Sequence, residues 1–473
     1  MTVARTTIVP ACTVHVDVAF GGASNGSAAS PHKTIGAAVT AATSGAVICV
    51  AEGTYPEKLS PATKYFTLAG GFQSNSDFKV RDSAAHVTKA QGNGSGSFFS
   101  AGGENAPKAG QLTAIDGFEI TGYAQGIVRA TYFSQNFDVT NNNIHDNTCP
   151  SNNSIGGGVF LNGVSGKISG NVFSKNRCGR GGAMALLDAT NNNTITISEN
   201  LVKDSAGAEP DSSHGGGFYI FAKKVIIAGN EFVGNTVTGW GAGLFVGADG
   251  DTDTSATLSW NVYRDNRAGK FGGGFFCDDG AACNSDHDLF DGNCGGNVYF
   301  DSGYSGIGPT VAVFDHMTNV NAKAPGCGGP GDGLHVDKDN PAPDSLTVKN
   351  SIFWGNATGK DFTTGCVSGC GNTKVNVSFS NVQTSFQNGG VGVTFGTGNA
   401  NADPQFVDAA KGDFHLRSKN GHFTPTGYVP DAADSPALSA GDPGAATPDN
   451  PARAGTRSEL GRYGNSMEAS YVK

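Results

Sequence analysis

Five positions directly ahead of recurring glycine clusters hold Ile155, Arg180, His214, Trp240 and Phe271, with Lys270 beside the last. The set is chemically mixed. A guanidinium grips a carboxylate or sulfate through two parallel hydrogen bonds, an indole face stacks on a sugar ring or a cation, and an imidazole titrates near neutrality. Arg177 and Arg267 add two cations at a matching point, just after a repeated Asn. This is the inventory of a β-elimination on a uronate. Such a reaction needs the carboxylate neutralised, a base for the adjacent proton and a donor for the leaving oxygen. On that reading Arg180, His214 and Lys270 are the catalytic candidates, and Arg177, Trp240, Arg267 and Asp188 are the substrate contacts.

A second, acidic set lies at the far end of the strands that follow the glycines: Asp188, Asp249, Asp278 with Asp279, and Asp301. Within DGDTD, the carboxylates of Asp249, Asp251 and Asp253 fall at every second residue. An extended or looped chain aims such a set at one hard cation, so Ca2+ is the expected ion, and no organic cofactor is expected. The glycine and distal Glu of an EF-hand loop are missing. Paired carboxylates also suit glycoside hydrolysis, with Asp188, Asp249 and Asp278 as its candidates. His335, Asp337, Lys338 and Asp339 form a further polar group, read as a late loop rather than a site.

These residues need elements to hold them, and the sequence repeats. The pattern Asn-x-(Phe/Ile/Tyr)-x-x-(Asn/Ser) begins at Asn142, Asn171, Asn200, Asn230 and Asn261, at intervals of 29, 29, 30 and 31 residues. One strand precedes each copy, as in TITIS, KVIIAG and ATLSW, and one follows its glycines, as in GGAMALL, GGGFYIF and GGGFFC. Three short strands per period of about 30 residues, with no helix-length segment, specify an all-β chain: a single-stranded right-handed parallel β-helix with one repeat per coil. Asn at a fixed point bonds local backbone and its neighbours in adjacent coils, and it tolerates left-handed turns. Leucine-rich repeats would need helical leucines and propellers four strands per unit, and neither is visible. A short segment, His32–Ala42, is helix-compatible with Ile35 and Val39 on one face, and it is placed as a cap over the first coil.

Composition narrows the partners. There are 31 Lys and Arg against 41 Asp and Glu, a net charge of −10, which argues against nucleic acid. No apolar run reaches membrane-spanning length. Ten cysteines suit disulfides in an exported protein better than a zinc site. Cys149 and Cys178 stand at the same offset past their motif Asn, so they should face each other on neighbouring coils. Cys277 with Cys283 and Cys366 with Cys370 are the next expected pairs. The expected organisation is a cap over residues 1–60, coils over 61–400 and a Pro- and Asp-rich C-terminal segment, 401–473, packed on the last coils. Closed ends make the expected state a monomer.

The opening SNGSAASPHKTIGAAVTAA…GAVICVAEGTYPEKL resembles the N-terminal cap of the pectate-lyase-like superfamily of right-handed β-helix proteins. The ending ADPQFVDAAKGDFHLRSKNG…DSPALSAGDPG…LGRYG resembles the terminal segment of secreted bacterial members. With the Asn and Gly coils, the resemblance covers nearly the whole chain. It implies the fold and an extracellular, periplasmic or cell-surface setting. It carries over no catalytic residue, because the superfamily includes lyases, hydrolases, epimerases and non-catalytic surface proteins. The leading expectation is a lyase acting on an acidic polysaccharide. A glycoside hydrolase and a non-catalytic carbohydrate-binding β-helix are the alternatives.

Overall fold

A computed structural model describes residues 5–61, 64–102, 111–188, 194–209, 213–248, 254–278, 280–301, 309–323, 331–337, 344–356, 361–365, 373–384, 392–445, 447–448 and 455–472. The chain divides into two compact units, residues 1–245 and 246–473, and both are built as right-handed parallel β-helix. No helix among the described residues is long and apolar enough to cross a membrane.

In the first unit each coil contributes strands whose inward residues stack on their equivalents. Ile48, Leu68, Ile115, Val139, Ile168, Ile197 and Ile227 pair in unbroken parallel register, and every one is fully buried. A second column, Ile120, Ile144, Phe173, Val202 and Phe232, runs down another sheet. β-branched and aromatic side chains stack well at the interval between neighbouring strands, and that interval recurs at every coil. Stacking the coils therefore buries a continuous core.

The motif asparagines form the ladders that the repeat specifies. Asn171 Nδ2 donates to Val139 O and to Asn200 Oδ1; Asn200 Nδ2 donates to Ile168 O and to Asn230 Oδ1. Each carboxamide thus bonds the coil before it and the coil after it, satisfying polar groups that have no water to turn to. A second ladder joins Asn147 to Asn176. In the second unit the ladder passes from Asn261 to the buried carboxylate of Asp288, and from Asn266 to Asn293 and Asn297. The residue just before a ladder position turns left-handed, as at Asn141, Glu199, Trp260, His287 and His316.

The glycines ahead of the strands are a matter of space. A Cβ on Gly216 would stand 2.4 Å from Thr236 O and 2.9 Å from Ala242 O, both backbone atoms that cannot move aside. The short helix is Ile35–Ala41, capped by the Thr34 hydroxyl and buried through Ile35, Ala38 and Val39. Cys149 and Cys178 are bridged, with Cα atoms 4.9 Å apart, as are Cys277 and Cys283. A third bridge, Cys12–Cys49, has no periodic offset to announce it. Cys366 and Cys370 lie outside the described residues.

In the second unit the C-terminal segment folds into two small antiparallel pairs, Phe406–Asp408 with Asp413–Leu416 and His422–Thr424 with Gly427–Val429. It lies along the flank of the coils. Leu416, Ala437 and Leu460 pack on Ile352, and Phe414 packs on Leu289 and Val320. Arg462 reaches the carbonyls of Trp260 and Asn261.

Candidate functional site

The positions ahead of the glycine clusters are in register within the first unit. Ile155 bridges Arg180, Gly181 N donates to His214 O, and His214 bridges Trp240. Their side chains are half-buried and engaged with one another. Arg180 Nε donates to Glu209 Oε2 at 2.6 Å, with its guanidinium 6.0 Å from the Tyr219 ring centroid. Hydrogen bonding to Glu209 raises the Arg180 pKa further. His214 is stacked on Trp240 at 4.8 Å and meets Phe245 edge-on at 4.7 Å. Beneath this row the outward residues Tyr219, Phe221 and Phe245 stack along the sheet.

Arg177 is exposed on the two-residue strand Arg177–Cys178, paired with Ala206–Gly207. In the second unit Arg267 is exposed and Lys270 half-buried. Asp188 ends the strand Met184–Asp188, opposite Ala222, and its side chain is outside the described set. Asp249, Asp251 and Asp253 all fall outside the described residues.

The second unit carries a different constellation at the equivalent outward positions. Phe276, Tyr299, His335 and Thr363 are register partners on consecutive strands. His335 is therefore a strand residue, on Leu334–Val336, where the sequence suggested a loop. The Thr363 hydroxyl donates to Asp332 Oδ2 at 2.6 Å, and His335 Nδ1 lies 2.7 Å from the same hydroxyl oxygen. With the hydroxyl proton committed to Asp332, Thr363 accepts from Nδ1–H, and the lone pair of His335 sits on Nε2. Phe271, Tyr299 and His335 form a ring stack, with centroids 4.6 and 4.9 Å apart between neighbours.

Tyr299 donates its hydroxyl to Asp337 Oδ2 at 2.7 Å. Burial, then the charges of Asp301, Asp337 and Asp278, push the phenol far above its ordinary range, so it stays a donor. Asp278, Asp301 and Asp337 follow consecutive strands at the same point, linked by Asp301 N to Cys277 O and Asp337 N to Phe300 O. Gly365 follows the next strand. A Cβ there would lie 2.5 Å from Asp337 Oδ1 and 3.2 Å from His335 Nε2. A carboxylate oxygen and an imidazole lone pair thus converge on a spot that only glycine leaves open.

A third group sits elsewhere in the second unit. Asp286, His287 and His316 bring one potential ligand atom each within 4.8 Å of one another, the one such group among the described residues. His287 and His316 are stacked, 4.8 Å between centroids, and Trp260 continues the stack at 4.4 Å from His287. Burial works to lower the His316 pKa, but hydrogen bonds to Asp286 and Asp315 override it and lift the ring to about 9. Neither histidine stands out in the sequence. The usable signal was positional: each occupies the left-handed turn that Asn141 and Glu199 take in other coils.

A family model described as right handed beta helix region matches residues 125–311, and one described as disaggregatase related matches residues 346–441. No curated protein and no solved structure matches the chain. At the level of fold the chain is a right-handed parallel β-helix, which is consistent with the pectate-lyase-like superfamily.

Proposed function

We propose that this β-helix is a secreted, monomeric enzyme that cleaves a polysaccharide, with its chemistry at His335, Asp337 and Tyr299. One observation carries the reading: Asp337 Oδ1 and His335 Nε2 meet at the space kept open by Gly365. Behind them Asp332 and Thr363 fix the imidazole tautomer, so His335 acts as the base that activates water. Tyr299 holds Asp337 as an oriented carboxylate facing the charge that develops on the sugar. Asp278 and Asp301 are close enough to act on Tyr299 electrostatically. Asp278 or Asp301 is assigned as the acid for the leaving oxygen.

Hydrolysis is favoured over β-elimination on electrostatic grounds. An eliminating site must neutralise a uronate, whereas this one is lined by carboxylates, and Arg180 is already paired with Glu209. Arg180, His214 and Trp240, with Arg177, Lys270, Arg267 and Asp188, are assigned to glycan contact rather than to the bond-breaking step. Calcium at Asp249, Asp251 and Asp253 belongs to the same proposal as a structural ion. Three cysteine bridges between described residues support an extracellular setting, where disulfides persist.

The test is a panel of neutral and acidic polysaccharides assayed for new reducing ends and for the ultraviolet absorbance of unsaturated uronate ends. Hydrolysis gives the first without the second. Products carrying unsaturated ends would replace hydrolysis with elimination. Retardation on a glycan gel without any product would leave a binding protein.

A further inference from the structure

We propose that Asp286, His287 and His316 bind a divalent transition-metal ion of the zinc class, and that the ion ties two coils to the C-terminal segment. The proposal is independent of the cleavage site. It begins with the tautomer of His287. Its Nε2 lies 2.6 Å from Gly464 O, and a carbonyl can only accept, so Nε2 carries a proton and Nδ1 is the nitrogen left to serve as a metal donor. A ligating histidine is commonly oriented in this way, with its second nitrogen anchored on a carbonyl. Nδ1 is buried and makes no hydrogen bond, yet it stands 2.8 Å from Asp286 Oδ1. A proton on Nδ1 or a metal ion in its place joins that pair, and loading the metal releases the proton.

His316 supplies the next donor. Its Nδ1 is 3.7 Å from the same Asp286 oxygen, and its Nε2 is buried without a hydrogen bond. The two imidazoles are nearly parallel, so both lone pairs reach one ion only if a ring turns. His316 has no bond to lose at Nε2, and turning its ring gives up the 3.1 Å contact of Nδ1 with Asp315 Oδ1 in exchange for the metal, while Gly464 pins His287. The backbone explains their placement: His287 and His316, at φ of 60° and 46°, occupy the left-handed turn that Asn141, Glu199 and Trp260 take in other coils, so successive coils bring the two rings together.

Donor chemistry sets the ion. Two imidazole nitrogens and one carboxylate suit zinc, nickel or cobalt, whereas calcium takes an oxygen shell. Asp286 is half-exposed, with its side chain 52% accessible, so the remaining coordination position faces solvent and takes water. Because His287 bonds Gly464, loading the ion also stiffens the attachment of the segment that carries Arg462 and Tyr463.

The experiment uses the full chain after chelator treatment, titrated with Zn2+, Co2+ and Ca2+ by calorimetry, with absorbance followed for Co2+. One equivalent of Zn2+ is expected, together with a Co2+ d–d spectrum of low coordination number and no matching Ca2+ uptake. Asp286→Asn and His316→Gln should each weaken Zn2+ binding by roughly 10–100-fold or more. Asp286→Asn alters a half-exposed carboxylate and keeps the test valid should His316→Gln fold poorly, and His335→Ala should bind Zn2+ like the parent. Absence of stoichiometric Zn2+ binding, equal binding by Asp286→Asn, or Ca2+ binding of similar strength would each overturn the site.

Discussion

Outward-facing rows carry opposite designs in the two units. In residues 1–245 the row is closed on itself: Arg180 is paired with Glu209, and His214 is held between Trp240 and Phe245. In residues 246–473 the row is a directed chain, Asp332 to Thr363 to His335, that ends in a lone pair beside Asp337. The same coil geometry thus carries a self-paired contact row in one region and a directed polar chain in the other. Residue type alone does not separate the two uses. What a ring or charge already touches does.

The glycines sharpen this contrast most strongly. Gly216→Val, in the first unit, drives a side chain into two backbone carbonyls and should cost about 3 kcal/mol or more, read as a fall in the urea midpoint. Gly365→Ala, in the second, meets the movable carboxylate of Asp337 and should leave the melt within about 1 kcal/mol of the parent while abolishing most turnover. If Gly365→Ala unfolds the protein instead, that glycine is framework and the contrast fails.

Asn200→Ala should cost about 3 kcal/mol, because Ile168 O and the Asn171 amide lose their partner inside the core. Thermal unfolding checks it, and turnover of the remaining folded fraction should be unchanged. Thr363→Val removes the hydroxyl between Asp332 and His335 and should lower turnover roughly tenfold. The pH profile on its basic limb should shift as well, which a packing role would not produce.

The smallest effect is electrostatic. In the first unit, hydrogen bonding to His145 and the charge of Lys89 hold the Glu119 carboxyl at about 2. A depressed folded pKa contributes stability above the unfolded value of 4.5, and that stability is lost as pH falls through about 2. Glu119→Gln should therefore be less stable than the parent near neutrality and equal to it at about pH 2, measured by urea unfolding.

The fold was legible because it is written periodically. An Asn every 29 to 31 residues specified ladders, and equal offsets specified the Cys149–Cys178 bridge. Features without a period were harder to see. Cys12–Cys49 joins positions 37 residues apart that no repeat aligns. His335 read as loop because its strand is three residues long among charged neighbours, LHVDKD. Its meaning comes from Thr363 and Asp332, and the register needed to place Thr363 opposite it spans 28 residues of irregular length. The sequence ranked Arg180 and His214 highest on residue type, and residue type says nothing about Glu209 or Phe245 lying against them.

One comparison tests the central claim most directly: reducing-end release from the polysaccharide that the parent cleaves fastest, measured side by side for His335→Ala and His214→Ala. The account predicts that His335→Ala loses roughly 10²–10⁴-fold in kcat with an unchanged melt. His214→Ala should raise KM and leave kcat within a few fold, as expected for a contact that binds substrate and transition state alike. Full turnover in His335→Ala, with the large loss falling on His214→Ala, would move the chemistry to the first unit and contradict the account.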